Sequence, residues 1–250
     1  RAWALMAHAQ AYLHYSRGKG DEDGLTAAEK ALALDPALAE PHAVKAQILL
    51  DRDGLDEALV EMETAVRLDP ESYLTNRVAG RVYTRVRRLE DAIRHYAKAA
   101  ALDETDFACS GLLGSILLAV GDAAGARQAA HMTLARVEKA IANDPNNGHA
   151  IAYGVGALAT LGEAERAKEW MERALLIDPD NMMMRYNFAC ALSADLHEFD
   201  AAIDMLGLVL ADVGVGFVNH AKVDPDLDPI RDDPRFQQMI AETEARLASA

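Results

Sequence analysis

Asp-Pro ends an apolar, helix-favouring run at four places in this chain: Asp35-Pro36, Asp69-Pro70, Asp144-Pro145 and Asp178-Pro179. The first two prolines stand 34 residues apart, and so do the last two. Between Pro70 and Pro145 lie two such periods plus seven residues, with Asp103-Glu104 one period after Asp69-Pro70. A period of this length, kept in phase, is the signature of a stacked repeat in which each unit buries its apolar face against its neighbours. Such an array is not limited by the size of one core, so 250 residues are no obstacle to it.

With each proline placed at position 32 of a 34-residue unit, successive units begin at Ala39, Tyr73, Phe107, Gly148 and Met182. Position 8 is then Ala46, Gly80, Gly114, Val155 and Ala189, and position 27 is Ala65, Ala99, Ala140 and Ala174. Ala58, Ala92 and Ala167 share position 20. Small side chains at fixed phase let two helices approach closely. Position 11 carries Leu49, Tyr83, Leu117, Leu158 and Leu192, and position 24 carries Met62, Tyr96, Val137 and Met171, which fill the space between helices. Breakers fall midway, at Asp53-Gly54, Gly121-Asp122 and Leu161-Gly162. Each unit therefore reads as helix, tight turn, helix, closed by Asp-Pro. The abundance of Ala and the 6% of aromatic residues suit packed helices, not a sheet.

The small-large-small pattern at positions 8, 11, 20, 24, 27 and 32 resembles the tetratricopeptide repeat family over roughly residues 39 to 212. The resemblance implies an all-α, right-handed α-solenoid of about six helix-turn-helix units with a C-terminal capping helix. The units expected are a divergent first one at 1–36, then 37–70, 71–106, 107–147, 148–181 and 182–213, with a linker and cap at 214–250. The chain departs from the family's pattern in three ways. His42, Asn76, Ser110, Ile151 and Arg185 stand where the family has Trp, at position 4. Seven extra residues in the fourth unit predict a longer second helix, Asp122 to Ala142. One extra residue near Asp200 is needed to align the sixth unit. The tail from Asp224 to Phe236 resembles a segment that closes repeat arrays in large bacterial proteins, following a nucleotide-cyclase, winged-helix or kinase domain. It is expected to run extended, then form a helix from Pro234 to about Ala248 that covers the last apolar face.

Net charge is −15, which argues against nucleic acid or an anionic membrane as the partner. Cys109 and Cys190 offer neither a disulfide framework nor a metal-ligand spacing, so a reducing, cytoplasmic setting and buried, inert thiols are expected. The start at Arg1-Ala2-Trp3 reads as part of something longer, without a signal peptide. The longest charge-free run, Phe107 to Gly121, is too short to span a bilayer. The loop Arg17 to Gly24 lacks the strand and spacing of a phosphate cradle and reads as a solvated connection. Gly154-Val155-Gly156 lies inside a helix, where its glycines serve close helix contact in place of dinucleotide binding. The eight histidines form no zinc-binding pair, and no nucleophile elbow is present. No cofactor, metal or catalytic set is expected, although an enzyme with a site in the groove is the third reading.

In the family the exposed inner face is formed by positions 2, 5, 9, 12 and 13 of each first helix. Arg77, Arg81 and Arg85 match three of these and form a stripe at i, i+4 and i+8. Some family members hold a peptide's acidic C-terminus with basic residues at positions 5 and 9, which Arg77 and Arg81 occupy. Two readings stand side by side: a carboxylate-binding groove built on guanidinium forks, or a solvated basic face balanced by Glu40, Asp51 and Glu90. Gln47, Ser115 and Tyr186 complete the candidate peptide-binding set, with Ala, Gly, Leu and Cys190 forming the floor between them. Met182-Met183-Met184 is either an adaptable contact or core filling. The function expected is a non-catalytic scaffold binding a protein or peptide, an acidic segment among the candidates, within a bacterial signalling or regulatory protein. The alternative is self-association as a homodimer.

Overall fold

A computed structural model describes residues 2–17, 23–211 and 213–249; the core of the Arg17–Gly24 loop lies outside them. The chain is all-α, with no strand among the described residues. It divides into two compact units, Arg1–Leu102 and Asp103–Ala250.

The first unit holds three helix pairs: α1 (Ala2–Arg17) with α2 (Leu25–Leu34), α3 (Ala39–Asp51) with α4 (Leu55–Leu68), and α5 (Tyr73–Arg85) with α6 (Leu89–Leu102). The second holds α7 (Phe107–Ala119) with α8 (Ala123–Asn143), α9 (Gly148–Thr160) with α10 (Ala164–Ile177), and α11 (Met182–Ala194) with α12 (Phe199–Leu210). A C-terminal region follows: α13 (Val215–Ala221), the short 3-10 helix η1 (Pro225–Ile230) and α14 (Pro234–Ala248). The chain is thus a helical-repeat solenoid sequence of paired helices, unit by unit.

Local chemistry sets these boundaries. Asp35, Asp69 and Asp144 end their helices in an extended or near-extended conformation. Their carboxylates accept from the backbone N–H two residues on, in Ala37, Glu71 and Asn146, and Asp103 does the same for Thr105. This Asx turn bridges the proline and aims the chain at the next helix. That helix is capped by Ser72, Asp106, Asn147 or Asn181, each accepting from a backbone N–H in the first turn.

The turns inside the second to sixth pairs repeat one geometry. The residue at its centre is left-handed: Asp53, Arg87, Gly121, Gly162 and His197. The carbonyl of the position-11 residue, in Leu49, Tyr83, Leu117 or Leu158, accepts from the N–H five residues later. In the sixth pair the bond runs from Glu198 to Leu192, six residues, so the extra residue sits in this turn. The seven extra residues of the fourth pair lie in α8, which has 21 residues against 14 in α4, α6 and α10.

Close approach is built from small side chains. Ala46, Ala58, Ala65, Ala92, Ala99, Ala167, Ala174 and Ala189 are wholly buried. A Cβ on Gly80 would lie 2.6 Å from the Tyr96 ring, and one on Gly154 would lie 2.5 Å from Trp170. Gly156 differs: nothing lies within 4 Å of its would-be Cβ, so it serves no helix contact. Met184 fills the second unit's core, beside Phe188 and Leu192.

The tail departs from the extended run expected of it. Asp224 accepts from the N–H of Asp226 and caps η1, while Leu227 and Ile230 are buried. A proline at the first position and two buried apolar residues one turn apart favour a helical turn over an extended strand. α14 starts at Pro234 and packs on α12 and α13, burying Phe236 and Ile240.

Candidate functional site

Each unit presents one candidate surface, formed by its first helices. In the first unit it is the α3–α5 face. Arg81 donates to Asp51 at 2.6 Å, and Arg85 donates to Asp53 at 3.1 Å. Both acids end α3 or follow it, 30 and 32 residues before their partners and so close to one period, and the helical repeat itself supplies the pairing. The Arg85 side chain is only 5% exposed, and burial lowers its tendency to hold a proton against the pull of Asp53. Arg77 is half-buried. Burial, with the Arg77 charge beside it, holds His8 toward its neutral form. Gln47 is also half-buried, on α3. Arg88 lies over the Tyr83 ring at 4.6 Å and donates to Asp91. The stripe is thus a row of guanidinium groups, two of them braced by acids of the preceding helix and turn. Asp51, one of the three acids considered from the sequence, braces Arg81, and Asp53 braces Arg85.

In the second unit the equivalent face is covered by the chain itself. η1 packs against both α7 and α11. Tyr186 is 3% exposed and its hydroxyl donates to Asp224 at 2.6 Å, with the Phe217 ring set edge-on 4.8 Å away. Ser115 on α7 donates to Asp226. His220 Nε2 lies 3.2 Å from Asp224. Burial opposes ionisation of Asp224, but the His220, Tyr186 and Asp226 N–H contacts outweigh it and hold the carboxyl below its ordinary range. Asp226 goes the other way: burial, then the Asp224 charge, push it well up. Burial and the same two carboxylates raise Cys190 and Tyr186.

Of the six side chains expected on one peptide-binding face, Gln47, Arg77, Arg81 and Arg85 fall in the first unit, and Ser115 and Tyr186 in the second. Ser115 and Tyr186 come together around the chain's own Asp224-Pro225-Asp226. Cys190, Asp224 and Asp226 each offer a ligand atom within 4.8 Å of the others. No sequence spacing announces that cluster, because Cys190 lies 34 and 36 residues from its two acids. Only the Asp-Pro-Asp motif, with its paired acids, marks the place.

Charge is unevenly divided. The first unit has 14 Lys and Arg against 16 Asp and Glu; the second has 11 against 24. The basic stripe therefore sits in the nearly balanced part of an acidic chain.

The family model for the tetratricopeptide repeat matches residues 156–181, from the middle of α9 to the Asp-Pro link after α10. Those residues carry a tetratricopeptide repeat. Solved structures similar to this chain include Pseudomonas aeruginosa pilF, 19% identical over 96% of each chain with a TM-score of 0.54. YrrB, a TPR protein, is 19% identical over 88% of this chain and 99% of its own, with a TM-score of 0.47. MamA is 21% identical over 71% of this chain and 92% of its own, with a TM-score of 0.45. The likeness to pilF shows the shared fold. No curated protein matches the sequence. Among the described residues, no helix is long and apolar enough to cross a membrane.

Proposed function

We propose that this chain is a non-catalytic protein-interaction scaffold that takes an acidic peptide on the first-helix face of its first unit. The supporting observation is the second unit's handling of its own tail. There an acidic segment lies across α7 and α11, held by Tyr186 and Ser115. The corresponding face of the first unit carries Arg77, Arg81 and Gln47, half-buried. A guanidinium presents a planar fork of N–H donors that matches a carboxylate, and one already braced has its orientation fixed in advance, which lowers the ordering cost of binding. The polar groups of the second unit are engaged in holding the tail, which favours a structural over a catalytic role. The tail's resemblance to bacterial array-closing segments supports a cytoplasmic signalling or regulatory parent.

The test is fluorescence anisotropy of a labelled hexaglutamate peptide with the 250-residue chain. In the double variant Arg77→Gln, Arg81→Gln the affinity should fall at least about tenfold, with helix content unchanged. Equal affinity in variant and parent refutes the acidic-peptide face. Self-association is the second reading, favoured by Leu5, Met6 and Leu34, which are 72%, 39% and 75% exposed. A monomer by light scattering at high concentration removes it.

A further inference from the structure

We propose that the seam between α11 and the C-terminal segment is a binding site for a divalent cation of the zinc class, with Cys190 Sγ and one carboxylate oxygen each from Asp224 and Asp226 as ligands.

Geometry comes first. The three candidate ligand atoms lie within 4.8 Å of one another. Ligand atoms around one tetrahedral zinc lie roughly 3.3–3.6 Å apart, given metal–sulfur and metal–oxygen bonds of about 2.3 and 2.0–2.2 Å. Side-chain rotations close that difference without moving a helix. A thiolate with two carboxylates suits a borderline cation such as zinc or cobalt better than calcium or magnesium, which take oxygen alone.

Ser193 gives an independent observation. It is wholly buried, and its Oγ has no hydrogen-bond partner among the described residues. It stands seven residues, two helical turns, after Tyr186, so both side chains leave α11 in the same direction. Tyr186 reaches Asp224 in that direction, and Cys190 lies between the two on the same face. Ser193 is therefore aimed into the seam. A water on the cation's open position would give its hydroxyl a partner, as a buried hydroxyl requires.

Asp224, Asp195 and Asp228 all act on Asp226 as acids, and the Arg231 guanidinium, which pairs with Asp228 and donates to the Asp224 carbonyl, is directed at the backbone and at Asp228, not at the Asp226 carboxyl. His220 and Tyr186 both contact Asp224, as the outer partners of a metal-ligating carboxylate do. Asp226 is only partly covered, which leaves a route from solvent.

The experiment uses the full chain after dialysis against chelator, with zinc chloride and then cobalt chloride as probes. Zinc should raise the melting temperature by several degrees, since a ligand of the folded state alone stabilises it by mass action. Cobalt should produce a thiolate-to-metal charge-transfer band in the near ultraviolet. Both effects should vanish in Cys190→Ser and in Asp226→Asn, and persist in Cys109→Ser. Asp226→Asn keeps the shape of a carboxyl group that is held protonated without metal, so folding is not at risk. Absence of both effects at millimolar metal overturns the site. So does an equal response in parent and variants, which places the metal elsewhere.

Discussion

Asp195 follows the last residue of α11, where the helix dipole already disfavours a negative charge, and it accepts from Thr160 at 2.7 Å. Burial raises its pKa from 3.8 to about 6 despite that hydrogen bond. The folded chain therefore keeps this proton at pH values where the unfolded chain releases it. Its contribution to stability is full below 3.8 and is lost as the pH rises through about 6. Asp195→Asn keeps the shape of the group and removes the titration. It should stabilise the chain by about 1–2 kcal/mol at pH 7.5, after discounting for partial exposure. The gain should disappear near pH 4. Urea unfolding at the two pH values measures it; a gain independent of pH contradicts the assignment.

At the scale of elements, the tail is the part whose placement most affects function. Leu227 is wholly buried and anchors η1 against the first helices of the second unit. Leu227→Ala should cost about 2–4 kcal/mol, the range for a buried leucine that leaves a cavity. The loss should appear in chemical denaturation with unchanged helix content at low denaturant. A loss below about 0.5 kcal/mol would mean that η1 is not packed as described. The elements themselves were largely legible from the chain, because local chemistry fixes them. Asp-Pro ends a helix whatever surrounds it, and Ala or Gly at a fixed phase announces close packing. The left-handed turn residues were legible where Gly121 and Gly162 supply them. They were not at Arg87 and His197, where the repeat imposes a conformation that the side chain does not favour. What lies on the face of α7 and α11 was not legible at all. Tyr186 and Asp224 meet across 38 residues, and nothing in the periodicity of α11 says whether position 5 faces solvent or its own tail. The Arg81–Asp51 and Arg85–Asp53 pairs were only partly so. They lie 30 and 32 residues apart, close to one repeat, so Asp51 could be named among the balancing acids while Asp53 was not.

For the whole molecule, the question is how a chain of net charge −15 takes up an acidic peptide. Its long-range field opposes the approach, and the nearly balanced first unit offers the least opposition. Added salt therefore acts in two directions. It screens the general repulsion, and it screens the short-range attraction between peptide carboxylates and the arginines. The Debye length is about 8 Å at physiological ionic strength and about 3 Å at 1 M. At 0.15 M the repulsion from the more distant acids is already largely screened, whereas contacts at bonding distance are not. Raising the salt to 1 M should thus weaken hexaglutamate binding, by roughly tenfold for two or three charge contacts. Below 0.05 M the trend should flatten or reverse, as repulsion from the acidic surface reaches farther. In Arg77→Gln, Arg81→Gln the attractive part is gone, so salt should leave the residual affinity level or strengthen it. Anisotropy titrations across this salt series, on parent and variant, separate the two contributions. A parent whose affinity rises steadily with salt would mean that the acidic surface dominates and that the stripe offers the peptide no charge contact.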